Sequence, residues 1–289
     1  MAVFPATGNT EIASFIPEVW SALLMVPLSE ELVLASGLCT NRDFDDEIHG
    51  FGDRLHINAL TRPTIVDYTR NADVQPEFVE TDKQTLVIDH GRAFAFILGD
   101  LDKVQQAAYE TGKPDPIGIA TDEAMQGLRV AADSYVGVKV LEGALPANKK
   151  VFKATGATPG DPFNALVDYG VILDNSDIPA KGRFAVVRPE VKALMLKHEK
   201  FIASSYGSAE PIQNGVIGSL AGFTVASTPH LPVGVNMVVG SPVATTYGDQ
   251  LTKLEALRHP TKFGDVVRGL HVAGAKVVRP EALIIASEA

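Results

Sequence analysis

The chain has 289 residues, 46% of them hydrophobic but only 7% aromatic, and a formal net charge of -10. Small aliphatic side chains must therefore fill a core large enough for one big domain or two smaller ones. The charge balance leaves no basic stripe for sequence-reading of nucleic acid. The single cysteine, Cys39, excludes an intrachain disulfide or a cysteine-based metal site, and reads as a small buried apolar side chain.

At the amino end no basic leader region is apparent. The uncharged run Val19 to Ser29 is too short to span a membrane as a helix. Residues 1–40 read as an extended lead followed by helix. Pro17 stands at a helix start, Pro27 forces a break, and Trp20, Leu23 and Leu24 share one helical face. A second short helix is predicted from Ser29 to Ser36, ended by Gly37. Phe15, Trp20, Leu23 and Leu24 are the candidate anchors of this arm.

Gly50 to Asp100 is the most informative stretch. Alternation along Arg54 to Leu60 puts Leu55, Ile57 and Ala59 on one face. The pattern returns along Thr85 to Ile88 and then Phe94 to Leu98. Between them lies a polar tip, Arg70 to Lys83. A two-stranded ribbon is marginal alone in water, and so long a polar excursion is rare in a globular protein unless it has a use. The simplest physical answer is an arm that lies on a neighbouring subunit. Its candidate interface residues are Arg54, Arg62, Arg70, Asp73, Glu77, Glu80, Asp82 and Lys83, with Phe78 and Val79 as sources of contact energy, because exposed apolar groups at a polar tip need a partner.

A short helix follows from Asp100 to Glu110, interrupted by Gly112, Pro114 and Pro116. The longest helix is predicted over Asp122 to Glu142, with Thr121 as its N-cap and an apolar stripe of Leu128, Ala131, Ala132, Tyr135 and Val138. From Gly143 onward short helices and strands alternate. The helices are Phe163 to Leu173 and Glu190 to Lys200. The strands are Arg183 to Val187, Gly222 to Ala226, Asn236 to Val239, Gln250 to Leu257, Val266 to Val272, Lys276 to Val278 and Leu283 to Ala286.

Catalytic motifs fail one by one. Gly50-Phe-Gly52 has Leu55 where a dinucleotide fingerprint needs glycine. Gly112-Lys113 lacks the first glycine and the hydroxyl of a phosphate loop, and Ser219 stands one position early for a nucleophile elbow. A calcium loop begun at Asp43 would need glycine at Ile48 and an acid at Arg54. The histidines are scattered and read as surface or structural side chains. No cofactor, metal or catalytic residue is expected.

The order of elements resembles the major capsid proteins of tailed double-stranded-DNA bacteriophages, with the Hong Kong 97-type fold. The resemblance rests on Phe15-Ile-Pro-Glu-Val-Trp-Ser21, Gly50-Phe-Gly-Asp-Arg-Leu-His-Ile57, Leu86-Val-Ile-Asp89 with Phe94-Ala-Phe96, Gly182 to Pro189, and Phe263 to Glu281. It implies an α+β fold with an N-terminal arm (1–49), an extended β-hairpin loop (50–99) and a spine-helix region of a peripheral domain (100–142). A mainly axial domain (143–250) and C-terminal strands of the peripheral domain (251–289) complete it. It further implies a homo-oligomer of pentamers and hexamers that encloses double-stranded DNA without reading it, and no contact with membrane. Scaffolding, portal and decoration proteins would be its further partners. It would sit in the virion capsid, with assembly in the host cytoplasm. In some members a lysine of the extended loop is crosslinked to a neighbour's asparagine, and Lys83 is the one lysine between residues 51 and 98. Two other readings stay open: an encapsulin-like nanocompartment shell, and a cytoplasmic α/β enzyme with a lid at 60–85.

Overall fold

The computed structural model describes residues 32–44, 51–60, 64–65, 67, 77–78, 81–99, 116–198 and 216–288. Its strands are β1 (Arg54–Leu60), β2 (Thr81–Val87), β3 (His90–Gly99), β4 (Lys149–Val151), β5 (Phe184–Val187), β6 (Val216–Leu220), β7 (Phe223–Ser227), β8 (Val235–Gly240), β9 (Thr245–Arg258), β10 (Gly264–Val277) and β11 (Leu283–Ser287). Its helices are α1 (Pro116–Gly143), α2 (Asp161–Asn175) and α3 (Pro189–Leu196). They build a six-stranded mixed sheet in the order β4-β11-β8-β5-β7-β6, a three-stranded antiparallel sheet β3-β10-β9, and the two-stranded ribbon β1-β2.

Both faces of the six-stranded sheet are covered, so its central strands read as continuous apolar runs. Every residue of β5 is buried, yet alternate side chains go to different places. Phe184 and Val186 join Val136 and Val140 of α1 and the segment around Leu34. Ala185 and Val187 join Leu166, Tyr169 and Leu173 of α2 and Val191 and Met195 of α3. The same alternation divides Leu283 and Ile285 from Ile284 and Ala286 in β11. One helix therefore covers one face, and two shorter helices cover the other.

Helix α1 starts at Pro116, well before the expected Thr121 cap. A proline costs nothing in a first turn, where its missing N–H would have had no partner. The apolar stripe of α1 is also rotated. Leu128, Ala132, Val136 and Val140 are buried at four-residue intervals, whereas Val138 is exposed. Residues 33–40 form turns instead of the tail of a helix. The expected return strand Phe94 to Leu98 does not pair with β1. It lies in β3 and pairs with β10, from Gly264↔Gly99 to Ala273↔His90. Two expected strands, Val266 to Val272 and Lys276 to Val278, are one continuous β10. Gly274 falls in the gap between those two expected strands. In the fold it marks a close approach: a Cβ there would lie 2.7 Å from the Val87 carbonyl oxygen and from Ile88.

Arm anchors Phe15, Trp20, Leu23 and Leu24 and the expected helix from Asp100 to Glu110 lie outside the described residues.

Candidate assembly surface

The ribbon β1-β2 is antiparallel, in a register running from Arg54↔Val87 to Leu60↔Thr81. Its two faces differ in chemistry. Leu55 sits across from Leu86, and Leu55 and Ile57 pack against the buried cluster of Leu86, Ile88 and Val272. The opposite face carries Arg54, His56, Asn58, Lys83 and Val87, all exposed, with the His56 ring 3.1 Å from the Thr85 hydroxyl. The root of the ribbon is thus docked on its own chain. Lys276 donates to the Thr85 carbonyl at 3.0 Å, and Gln84 donates to the Val278 carbonyl at 3.2 Å. Gly52 and Ile88 are joined by a backbone hydrogen bond of 2.9 Å.

Between β1 and β2 the structure describes residues 64, 65, 67, 77 and 78, all exposed. Ile65 and Phe78 are each 96% exposed. The Thr64 N–H donates to Glu77 at 2.9 Å, which holds that carboxyl below its ordinary range although it is open to water. Ile65 and Phe78 are thus open to water, whereas at the root Leu86 and Ile88 are buried. Arg62, Arg70, Asp73, Val79 and Glu80 lie outside the described residues. Asp82 is placed by its backbone across from Ala59, with its side chain outside the description.

A polar joint at the foot of the ribbon was not legible in the sequence. Asp89 accepts hydrogen bonds from the Tyr135 hydroxyl and, at 3.3 Å, from Lys139, both on α1. Burial pushes this carboxyl up, but the two donors outweigh it and hold it below the ordinary range. The His90 ring stacks on Tyr135 with centroids 4.3 Å apart. Burial, then the charge of Arg92, depress its pKa. Across β10, His271 is 3.0 Å from Asp249, which also binds Arg42. Asp133, buried on α1, accepts the Ala35 N–H at 2.8 Å and so ties the 33–40 turns to the helix. Only a buried acid on an otherwise apolar helix face could have signalled this, and sequence periodicity alone did not single it out. Cys39 lies in the same core, and burial pushes its thiol well up, as expected of an inert side chain.

Among the described residues no group of three or more metal-ligating side chains occurs. No described helix is long and apolar enough to cross a membrane.

No family model matches the chain, and no curated protein matches it. Solved structures do. A chain of Mycobacterium phage Che8 superposes with a TM-score of 0.75 at 24% identity, covering 95% of this chain and 97% of that one. The capsid of the cyanophage P-SCSP1u gives 0.74 at 13% identity, covering 96% and 94%. The holo-SrpI encapsulin complex of Synechococcus elongatus gives 0.59 at 11% identity, covering 100% and 96%. These likenesses run over nearly whole chains on both sides. The protein has the Hong Kong 97-type capsid fold.

Proposed function

We propose that the chain is the major capsid protein of a tailed phage. It would self-assemble as pentamers and hexamers into an icosahedral shell around double-stranded DNA, in the virion and, during assembly, in the host cytoplasm. The observation that carries the reading is a ribbon anchored at its root by Leu86 and Ile88, whose described tip residues Ile65 and Phe78 stand almost fully in water. A monomer gains nothing from such exposure, whereas a neighbouring copy would bury it. The whole-length likeness to phage shells supports the same reading.

In this reading residues 50–99 contribute the extended loop, less β3, which belongs with the C-terminal strands β9 and β10. The α1 region and β9-β10 form the peripheral domain, and most of 143–250 the axial domain. Arg54 and Lys83, on the outward face of the ribbon, and Glu77 and Phe78 at its tip are its contact residues. Ion pairs at such a rim are individually weak and set register more than affinity. The chain has no catalytic role. Scaffolding, portal and decoration proteins are its further partners.

The test is the size of the purified protein by light scattering, with negative-stain microscopy. Rings, tubes or shells are expected; a compact monomer at all concentrations and salt conditions rejects the proposal. The encapsulin likeness favours a second reading, a nanocompartment shell. Shells recovered from cells separate the two: nuclease-protected double-stranded DNA inside supports the phage coat, and co-purifying cargo enzyme supports the compartment.

A further inference from the structure

Two patches on the six-stranded unit each expose valine and oppose each other in charge. The first is the edge strand β4 with the residues after it. Sheet order places β4 at the edge, paired parallel with β11 through Ile285↔Lys149 and Ser287↔Val151. Ile285 belongs to the core cluster under α1, whereas Ala286 and Phe152 belong to the cluster under α2 and α3. Alternation therefore sends Lys149 and Val151 to the α1 side of the sheet. Both are exposed, Val151 at 66%, and Lys153 next along is exposed as well. The run from Lys149 to Lys153 contains no acid.

The second patch is the outer stripe of α2. Leu166, Tyr169 and Leu173 point inward, so Val167, Asp168 and Val171 point away from the sheet on its opposite side. Val167 is 43% and Val171 53% exposed, and Asp168 is exposed between them. The helix contains no lysine or arginine. A solvated edge lysine that discourages strand pairing would explain β4 alone. It does not explain two valines at i, i+4 spacing on the water side of an acidic helix.

We propose that the Lys149–Val151–Lys153 edge of one copy docks against the Val167–Asp168–Val171 stripe of the next. The two patches lie on opposite faces of one sheet, so a two-fold pair would not bring them together. Pairing them is head-to-tail, and a head-to-tail contact that closes makes a ring. Valines supply the apolar contact and the opposed charges fix its register. The inference rests on the assembly reading above and names the surfaces that join neighbours within one ring.

The experiment is a charge swap. Lys149→Glu with Lys153→Glu reverses the edge; Asp168→Lys, with Asn164→Lys at the exposed position one turn before it on the same stripe, reverses the stripe. Each variant, and the chain carrying all four substitutions, is compared with the wild type by sedimentation velocity and negative stain, with thermal melts to confirm folding. Either reversal alone should cut the assembled fraction at least tenfold, and the combined chain should recover to within about twofold of wild type. Assembly that persists through both single reversals, or a combined chain no better than the single reversals, overturns the docking while leaving the shell reading intact. A wild type that stays monomeric throughout overturns the shell reading itself, and the docking with it.

Discussion

Truncating Ile88 to alanine tests whether the ribbon is held at its root by the small cluster described above. Ile88 is fully buried where β2 leads into β3, against Leu86 and Val272, with Leu55 and Ile57 closing the cluster. Buried isoleucine-to-alanine changes cost roughly 2–5 kcal/mol, depending on how far neighbours collapse into the space. Here the rim is half-exposed and free to close in, which places the loss near the low end, about 2 kcal/mol. This cluster shares no residue with the two larger cores, so the loss should fall on ribbon docking and not on the whole fold. Such a loss raises the population of the undocked state by roughly 30-fold. Hydrogen exchange on unassembled protein reads this directly. Amides of residues 54–60 and 81–88 should exchange about 30-fold faster, while those of Val225 and Val239 keep their rates. Unchanged ribbon amides, or equal acceleration of the β7 and β8 amides, would refute the reasoning.

Three further outcomes are expected. Phe78→Ala should leave the unfolding free energy of the unassembled chain within about 0.5 kcal/mol, because the ring touches little of its own chain. It should nevertheless raise the protein concentration needed for assembly by about tenfold or more, given roughly 1.5–3 kcal/mol for a buried phenylalanine; turbidity and sedimentation measure both, and a monomer destabilised by more than that bound contradicts the open tip. His90 has a folded pKa below its ordinary 6.5, so the unfolded chain binds the proton first and stability falls as pH drops through about 6.5 toward the lower folded value. His90→Phe keeps a ring against Tyr135 and should flatten that limb of the urea midpoint between pH 7.5 and 5; an identical slope in both proteins would count against it. Ala221 and Gly222 form the β6–β7 turn with φ of 50° and 86°, the pattern of a type I′ turn that favours asparagine at its first position. Ala221→Asn should raise the thermal midpoint, with a gain of about 0.5–1 kcal/mol, and a lowered midpoint would mean the turn is held by something else.

Most of the regular elements were legible because their signals are local. Period-two alternation gave Arg54 to Leu60, and the expected strands Arg183 to Val187 and Leu283 to Ala286 lie within one residue of β5 and β11. The long helix was legible in existence and not in phase. Ala131 and Ala132 fit either of two neighbouring stripes, and only the sheet beneath chose the one through Val136 and Val140. Lys83 and Arg54 were singled out as charges, but their common outward face follows from the β1–β2 register. The Asp89–Tyr135–Lys139 joint joins residues about fifty positions apart, with no spacing rule to betray it.

The amino-acid order by itself determined a cysteine-poor, small-aliphatic chain of mixed helices and strands, with strand alternation on either side of a long polar stretch, because composition, periodicity and turn chemistry act over a few neighbouring residues. Tertiary structure alone decided that Phe94 to Leu98 belongs with the C-terminal strands, and that Gly274 is a contact point and not a break. It likewise set Val151 of β4 and the exposed valines of α2 on opposite faces of one sheet. Strand partners and faces are chosen by burial against distant segments, and that competition is invisible in any local stretch of sequence.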